Sequence, residues 1–308
     1  MTRDASPPAG TWQAVAPRLA LGLGIVAVSC GSLFVRRAQE DAPSLAVAAF
    51  RLLLATLILL PWAWLRHRPL LRRLVPADWG WLLASGFCLA VHFATWITSL
   101  EYTSVASSVA LVSTSPLWVA LIAWLAWREP LTPRLGAGLA LALAGSALIS
   151  LAEARSAISA RPFLGNALAL AGALAVSGYW LIGRRLRRRL PLVPYVTVVY
   201  GTAAALLMAA ALLLRQRLSG FAPATYGWFL LLALLPQLLG HSSFNWALGQ
   251  LPASYVAIAT LGEPIGAAVL ACAFLGETPT RLKLLAAAMV LAGIFLALSR
   301  RKRNAPGG

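Results

Sequence analysis

A few polar side chains lie inside long apolar runs of this sequence, and three of them recur at a fixed interval. Gln237, His241 and Asn245 are four residues apart, so on a helix they share one face. Amide and imidazole groups in an apolar setting can bind a polar solute, or they can hydrogen-bond a neighbouring helix. The pattern is compatible with a stripe that lines a cavity and with a stripe that joins two helices.

An earlier apolar run carries a second stripe at near-helical spacing, composed of Ser85, Cys88, His92, Trp96 and Ser99. A single histidine in a membrane helix is more often structural than functional. Two histidines in corresponding helices, His92 and His241, favour a functional role as much as a structural one. We expect these two rings to approach each other.

Glu263 and Arg51 are ionisable residues placed well inside apolar segments. A charge in hydrocarbon is costly unless it is paired, so such residues usually face a cavity or a partner. Glu263 is the candidate for proton coupling or for contact with a substrate amine; the alternative is a hydrogen bond to backbone at a helix bend. Arg51 could snorkel to the membrane interface, or it could pair with Glu263 or Glu101.

Aromatic and hydroxyl groups complete the predicted binding site. Tyr179 and Trp180, together with Tyr255, could form amphipathic cavity walls, although ordinary helix packing is the slightly favoured interpretation of each. Ser115 occupies the position that corresponds to Glu263 in the other half of the chain. The predicted substrate-binding set is His92, Trp96, Ser115, Tyr179, Gln237, His241, Asn245 and Tyr255, with Arg51 and Glu263 as the charged candidates.

Pro116 and Pro264 interrupt two apolar runs at corresponding positions. Proline has no backbone N–H and clashes with the preceding turn, so both helices should bend there. Interrupted helices at matching positions often mark the binding site or hinge of a carrier. Glu277 and Thr280, like Glu129 and Thr132 before them, are expected to cap the start of the next helix.

The elements that must position these residues are membrane helices. Of the 308 residues, 60% are hydrophobic and 11% are charged, and the mean hydropathy is +0.77. The apolar runs are continuous instead of alternating, which favours helices over barrel strands. The sequence predicts an all-α membrane protein with ten transmembrane helices, at about 19–36, 43–65, 79–100, 103–125, 133–151, 163–183, 192–214, 226–248, 252–275 and 280–299.

The chain is strongly basic, with 26 Lys and Arg against 9 Asp and Glu, a net charge of +17. The basic residues lie between the apolar runs, so we expect them to set topology and meet anionic lipid; nucleic acid is not an expected partner. With a cytoplasmic N-terminus, 17 of them lie on the inner side and 8 on the outer side. This bias predicts a multi-pass protein of the cytoplasmic membrane with both termini inside.

The sequence lacks the motifs that are typical of several functional classes. Cys30, Cys88 and Cys272 lie in apolar segments without metal-ligand spacing, so no disulfide framework or metal site is expected. There is no G-x-x-x-x-G-K-[ST] loop, and the acidic residues are scattered, so neither an ATPase nor a membrane enzyme is favoured. No catalytic residue and no cofactor is predicted.

The two halves of the chain match each other at a constant separation of 148 residues. A register that persists through proline, glutamate, glycine and paired arginines indicates an ancestral duplication. A duplicated unit with an odd number of helices has copies of opposite orientation, an architecture typical of alternating-access carriers. The matched pairs include Ala27-Val28-Ser29 with Ala175-Val176-Ser177, Pro116 with Pro264, Glu129 with Glu277, and Gly145 with Gly293.

Several motifs make the sequence similar to the EamA family of the drug/metabolite transporter superfamily. They are Phe50-Arg51, Pro116-Leu117 followed by Glu129-x-x-Thr132, and Glu263-Pro264-Ile265 followed by Glu277-x-x-Thr280. The resemblance implies ten helices, a central substrate cavity and, usually, export of amino acids, metabolites or drugs. Val199 stands at the counterpart of Arg51, so any role of Arg51 is not duplicated.

The sequence therefore predicts a secondary transporter, an exporter of small metabolites such as amino acids or of drugs, working by alternating access. A lipid or glycolipid flippase subunit is the alternative, and a membrane enzyme acting on lipid-linked substrates is less favoured. The predicted organisation is a tail (1–17), a first five-helix repeat (18–152), a second repeat (163–299) and a basic tail (300–308). The expected partners are a small-molecule substrate and membrane lipid; substrate identity, ion coupling and homodimer formation are not decided.

Overall fold

The computed structural model describes residues 11–127, 133–154, 161–250, Val256 and 260–298, and these described residues form helices and their connections. No strand occurs among them. The helices of the first half are α1 (Thr11–Ser29), α2 (Gly31–Gln39), α3 (Ser44–Arg72), α4 (Pro76–Tyr102), α5 (Val105–Val112), α6 (Ser115–Trp127) and α7 (Pro133–Ala154).

The second half begins with two long helices and then becomes less regular. A π-helix, Ala233–His241, continues one α-helix into the next, and a 3₁₀ turn, Thr260–Gly262, precedes another. The α-helices of this half are α8 (Pro162–Arg187), α9 (Leu192–Leu213), α10 (Pro223–Leu232), α11 (Ser242–Leu248), α12 (Glu263–Leu275) and α13 (Arg281–Leu298).

Proline and glycine define several helix ends. Pro76, Pro162 and Pro223 each occupy the first turn of a helix, where a missing N–H costs nothing. Gly276 ends α12 with a left-handed φ of 68°, a conformation that glycine adopts without a steric penalty. Thr280 caps the next helix, because its hydroxyl oxygen accepts a hydrogen bond from the Lys283 N–H at 3.3 Å.

Two segments predicted as continuous helices are interrupted. The run predicted at 103–125 is divided into α5 and α6, with a break at Ser113 and Thr114. Pro116 therefore lies in the first turn of a new helix. Pro264 has the same place in α12, directly after the 3₁₀ turn. Both prolines follow a break in the helix, where the sequence predicted a bend.

Seven of the helical segments are long and apolar enough to cross a membrane, so the described residues do not confirm the predicted ten spans. The second segment extends to Arg72, beyond the predicted end at residue 65, because Pro61 and Pro69 do not stop the helix. The seven segments are Leu19–Gln39, Ser44–Arg72, Pro76–Tyr102, Val105–Ile122, Pro162–Arg187, Leu192–Leu213 and Pro223–Leu248.

The main helix pairs follow the duplication. Helix α3 packs on α9, α7 packs on α13, α4 packs on α8, and α1 packs on the π-helix and α11. A shift of 148 residues relates α3 to α9 and α7 to α13. It also relates the α4–α8 pair to the packing of α1 on the π-helix and α11. The packing of the bundle is thus symmetric under exchange of its halves.

Individual contacts obey the same exchange. A Cβ on Gly145 would lie 2.8 Å from the carbonyl oxygen of Ala286, and one on Gly293 would lie 2.6 Å from that of Gly138. Each contact becomes the other on a shift of 148 residues. The α7–α13 crossing is therefore close at two equivalent points, and both need a residue without a side chain.

Contacts at the two ends of the bundle show the direction of each helix. Asp78, at the start of α4, pairs with Arg189, which follows α8, at 3.0 Å. At the other end, Thr103 follows α4, and its hydroxyl donates to Asn166, near the start of α8, at 2.9 Å. Helices α4 and α8 are therefore antiparallel. We call the two ends the Arg189 end and the Arg36 end, because Arg36 donates to the Thr103 carbonyl at 3.1 Å.

The counterpart of α4, the segment Pro223–Leu248, runs the opposite way. It begins beside Asp41, whose carboxylate accepts from the Ala222 N–H at 2.8 Å near the Arg36 end. It finishes at the Arg189 end, where Arg187 donates to the Asn245 carbonyl at 3.1 Å. Equivalent segments of the two halves therefore have opposite orientations here.

A candidate solute-binding cavity

A cavity lies between the two halves of the bundle, with about 560 Å³ of empty space including the solvent at its mouth. Four pairs of its lining residues are equivalent under the 148-residue shift, so the two halves of the chain contribute corresponding positions to the cavity wall. These pairs are Val28 with Val176, Trp96 with Phe244, Val112 with Thr260, and Ser115 with Glu263.

Arg51 contributes a positive charge to the cavity, and its side chain is held firmly. The residue is only 1% exposed, and its Nε donates to the Gln237 Oε1 at 2.8 Å. Its guanidinium carbon lies 4.2 Å from the ring centroid of Phe93, within the distance of a cation–π contact. The Nη1 nitrogen is buried and has no hydrogen-bond acceptor among the described residues.

Two parallel ring pairs line the cavity. The His92 ring stacks on Trp96 with 5.9 Å between centroids, and the Trp180 ring stacks on His241 at 6.3 Å. The two histidine rings are 6.5 Å apart, as the sequence predicted they would approach each other. His92 Nδ1 lies 3.0 Å from the Gly172 carbonyl oxygen, which only accepts, so His92 donates from this nitrogen and its Nε2 is an acceptor in the neutral ring.

The two interrupted helices bring polar groups to the cavity. Ser113 and Ser115 lie at the break between α5 and α6, and Thr260 and Glu263 lie at the break before α12. A helix break frees backbone groups and turns adjacent side chains inward, which is a common way to build a polar site in a membrane. Glu263 supplies a carboxylate to the same cavity that contains Arg51.

Three of the predicted binding residues lie behind the cavity wall. Tyr179, Gln237 and Asn245 have no exposed surface and do not line the cavity. The Asn245 amide donates to the Tyr179 hydroxyl at 2.5 Å, while Gln237 holds Arg51. These two contacts join different helices, and Tyr255 lies outside the described residues. The structure brings together Arg51, His92, Trp96, Ser115, His241 and Glu263 around the cavity.

The sequence predicted that Gln237, His241 and Asn245 share one helix face. In the structure His241 lines the cavity, whereas Gln237 and Asn245 lie behind its wall. The π-helix closes i→i+5 hydrogen bonds, so the turn that holds Gln237 and His241 departs from regular α-helical geometry. Pro236, which lies inside the π-helix and lines the cavity, is the signal that could have indicated this irregularity. Trp180, which the sequence offered as a possible wall residue, lines the cavity, and so does Thr260, which the sequence did not indicate.

Charged contacts join the helices at the Arg36 end. Arg36 pairs with Glu277 at 3.0 Å, and the other oxygen of this carboxylate accepts from the Val105 N–H, the first residue of α5, at 2.8 Å. Arg37 also donates to the Phe274 carbonyl oxygen at 3.0 Å. Glu277 was expected to cap its own helix; instead it caps α5 and connects the second half to the first.

A second ionic contact at this end centres on Asp41, between α2 and α3. Its carboxylate accepts from the Ala222 N–H and the Thr225 hydroxyl, each at 2.8 Å, and from Arg217 at 2.5 Å. These donors favour the charged form, so the hydrogen bond from Ala222, followed by that from Arg217, lowers the pKa of Asp41 to about 2. The contact therefore joins the halves across the usual range of pH.

The other end of the cavity continues into a neighbouring space. This second space shares Ser115, Trp180 and Thr260 with the central cavity, and it extends along α8 to Arg184. Its remaining wall is largely apolar and includes Leu248 and Val256. Ionic contacts therefore join the helices at the Arg36 end of the cavity, and the cavity continues into a second space towards the Arg189 end.

Known proteins are similar to this chain in sequence or in fold. YwfM, an uncharacterized transporter of Bacillus subtilis (strain 168), is 26% identical over 274 residues, 87% of this chain and 89% of the relative. An uncharacterized transporter of Archaeoglobus fulgidus is 23% identical over 292 residues, 92% and 97% of the two chains. A solved crystal structure shares the fold, with a TM-score of 0.64 at 18% identity over 92% of this chain and 96% of that chain.

The family comparison divides the chain as the internal repeat does. The model of the EamA-like transporter family matches residues 18–151 and again residues 163–299. With seven helices able to cross a membrane, the chain is a multi-pass membrane protein. Since the two matches cover most of its length, it belongs to the EamA-like transporter family.

Proposed function

We propose that this protein is a secondary carrier that moves small solutes across the cytoplasmic membrane by alternating access. One observation supports this above all: the cavity is lined by equivalent residues of both halves, such as Trp96 with Phe244 and Ser115 with Glu263. A site enclosed by two related halves can open to either side when one half rocks against the other.

The proposed architecture is ten membrane helices in two inverted five-helix repeats, 18–152 and 163–299. The opposite directions of α4 and Pro223–Leu248 support it, as do the exchanged contacts of Gly145 and Gly293. The basic-residue bias of 17 to 8 favours both termini in the cytoplasm. Reporter tags at the two termini should both report the cytoplasm; tags in different compartments would contradict this topology.

We propose export as the direction of transport, and the observed conformation is compatible with loading of the solute from the cytoplasm. In this topology the Arg189 end is cytoplasmic, and the cavity continues towards this end, while ionic contacts join the helices at the Arg36 end. A carrier in this conformation can accept a solute from the cytoplasm. Amino acids, related metabolites and drugs are the solute classes that we propose.

Solute flux in proteoliposomes tests the carrier function directly. Purified protein should accelerate the movement of at least one solute from a panel of amino acids, metabolites and cationic drugs, and the rate should saturate with concentration. Protein-free vesicles give the background rate. A chain that leaves every member of the panel at the background rate is not a carrier of these solutes.

Glu263 is the proposed site of proton coupling, because it is a carboxylate inside the cavity. Glu263→Gln removes the titrating group and keeps a side chain of similar size. We expect the variant to lose the pH dependence of flux. A variant that transports the solute with the same pH dependence as the unmodified protein would exclude Glu263 from coupling.

A further inference from the structure

The second space, through which the cavity continues towards the Arg189 end, carries charge of one sign. Among its described lining residues Arg184 alone is charged, and most of the remaining wall is apolar, with Val119, Leu181 and Leu248. A cleft that combines one sign of charge with walls of low dielectric constant focuses the electrostatic potential and changes the rate at which charged solutes enter. The second space has this composition.

Arg184 lies on the route from the Arg189 end to the central cavity. It is an exposed residue in the last turn of α8. Trp180 is four residues earlier, on the same face of this helix, and it lines both spaces, as do Ser115 and Thr260 at the helix breaks. A solute that enters through the second space therefore passes Arg184 before it reaches the central cavity.

The charge of Arg184 is not neutralised by a described neighbour. No carboxylate in the described part of the chain lies within 4.0 Å of its guanidinium. Three other arginines of the same run are held by contacts with the protein. They are Arg185 over the ring of Trp81 at 4.8 Å, Arg187 with the Asn245 carbonyl at 3.1 Å and Arg189 with Asp78 at 3.0 Å.

We propose that Arg184 is a charge filter at the entrance of the cavity, which accelerates the entry of anionic solutes and slows that of cationic solutes. It acts on passage, because Arg184 does not line the central cavity itself. The inference goes beyond the proposed carrier function and assigns a selectivity residue outside the central cavity. One unit charge near the route should change each entry rate about threefold, in opposite directions for the two signs.

Labelling of a single cysteine in the purified full chain, in detergent, measures passage without a known substrate. The cysteine replaces Val112, which lines the central cavity and not the second space, in a chain whose Cys30, Cys88 and Cys272 are serine. Anionic sulfonatoethyl methanethiosulfonate is compared with cationic trimethylammonioethyl methanethiosulfonate at low ionic strength. Both reagents attack the same thiolate, so a change in the reactivity of the thiol leaves the ratio of their labelling rates unaffected.

Substitutions of Arg184 test whether its charge sets this ratio. Arg184→Gln should lower the ratio of anionic to cationic labelling about threefold or more, because the two rates change in opposite directions. Arg184→Lys keeps the charge and should keep the ratio of the parent chain. An unchanged ratio in the glutamine variant would overturn the proposal.

Arg188→Gln is the matched control, because Arg188 is an exposed residue of the same run and does not line the second space. It should keep the ratio of the parent chain, and a loss as large as that of Arg184→Gln would contradict a filter at Arg184. Neutral hydroxyethyl methanethiosulfonate should label every chain at one rate. A change in Arg184→Gln that all three reagents share would be steric and would also overturn the proposal.

Salt provides a second measurement that needs no substitution at Arg184. The Debye length falls from about 30 Å at 0.01 M to about 3 Å at 1 M ionic strength. The ratio of anionic to cationic labelling in the parent chain should therefore decrease over this range. A ratio that stays constant contradicts an electrostatic filter, whether or not the glutamine variant folds.

Flux measurements separate this inference from the carrier function, because labelling does not require transport. If the ratio depends on Arg184 as expected and no panel solute moves across vesicles, the filter stands and the carrier proposal fails. If a panel solute moves while the ratio is insensitive to Arg184, the carrier proposal stands and the filter is wrong.

Discussion

At the scale of single residues, the cavity depends on side chains that do not touch a solute themselves. Gln237 fixes Arg51 through its amide oxygen, and the ring of Phe93 supports the flat face of the guanidinium. Because both contacts are made inside the protein, Arg51 keeps its orientation whether or not a ligand is present. Such preorganisation lowers the entropic cost of binding.

The first prediction concerns Gln237. Gln237→Leu removes the only observed acceptor of Arg51 among the described residues and leaves a buried charged donor unpaired, so it should destabilise the protein by about 1–3 kcal/mol. Gln237→Glu keeps an acceptor oxygen and should be more stable than the leucine variant. Thermal unfolding in detergent measures both, and a leucine variant as stable as the unmodified protein would contradict the observed role of this bond.

The second prediction is a pH dependence at Asp41. Its pKa is lowered from 3.8 to about 2, chiefly by the hydrogen bond from Ala222, so its contribution to stability is present above the ordinary pKa. It is lost as the pH falls through about 2. The stability difference between the unmodified protein and Asp41→Asn should therefore be constant from neutral pH to about 4 and shrink below it.

Thermal unfolding of both proteins across this range, at low ionic strength, provides the measurement. Gln39→Ala, a change outside the Asp41 contact, should show no such dependence. A stability difference that increases on acidification would be the wrong sign for a carboxylate with a lowered pKa.

At the scale of helices, breaks and close crossings determine where functional groups lie. The breaks before Pro116 and Pro264 bring hydroxyl and carboxylate groups to the cavity. Proline and the 148-residue register predicted where these irregularities occur. Sequence periodicity could not predict the π-helix, because an apolar run has the same composition in an α-helix and in a π-helix.

The third prediction concerns the α7–α13 crossing. Gly145→Ala or Gly293→Ala would place a methyl group 2.6–2.8 Å from a backbone oxygen, which cannot move as a flexible side chain can. Each should destabilise the protein by about 1–3 kcal/mol, in line with overpacking of a close contact. The loss would appear as a lower unfolding temperature in detergent.

Gly136→Ala is the matched control on α7. Nothing lies within 4 Å of its added Cβ, and alanine favours helix over glycine, so stability should be unchanged or slightly higher. If the three alanine variants unfold at one temperature, the crossing does not require glycine at either point.

At the scale of the whole molecule, the sequence predicted more of the architecture than of the site. The duplication, the helical class and the approach of His92 to His241 all followed from spacing and composition. The positions of Tyr179 and Asn245 behind the cavity wall could not be predicted. A polar residue in an apolar helix shows the same sequence pattern whether it faces a cavity or another helix. Only the packing distinguishes these outcomes.

The fourth prediction concerns the contacts at the Arg36 end. Glu277→Gln removes the ion pair with Arg36 and weakens the cap on α5, so it should favour conformations open at that end. A single cysteine at Val112, which lines the cavity, reports the change in a chain whose Cys30, Cys88 and Cys272 are serine. A membrane-impermeant thiol reagent added from outside should label the Glu277→Gln chain faster.

Glu40→Gln is the control, because Glu40 forms an exposed pair with Arg37 three residues away in the same segment. Exposed pairs of this kind contribute little, so labelling should match that of the parent chain. Equal labelling of the Glu277→Gln chain and its parent would show that this carboxylate does not hold the Arg36 end closed.

Val199 stands at the position in the second half that corresponds to Arg51. The cavity is therefore chemically asymmetric, although the helices around it are arranged symmetrically. A solute bound at Arg51 meets a different environment when it arrives from each face of the lipid, so half-saturating concentrations for entry and exit should differ. Without an imposed gradient, the ratio of maximal rate to half-saturating concentration must still be equal in both directions. A difference in half-saturating concentration between the two faces cannot by itself concentrate a solute. It only determines on which side of the membrane the carrier is half-saturated at the lower concentration.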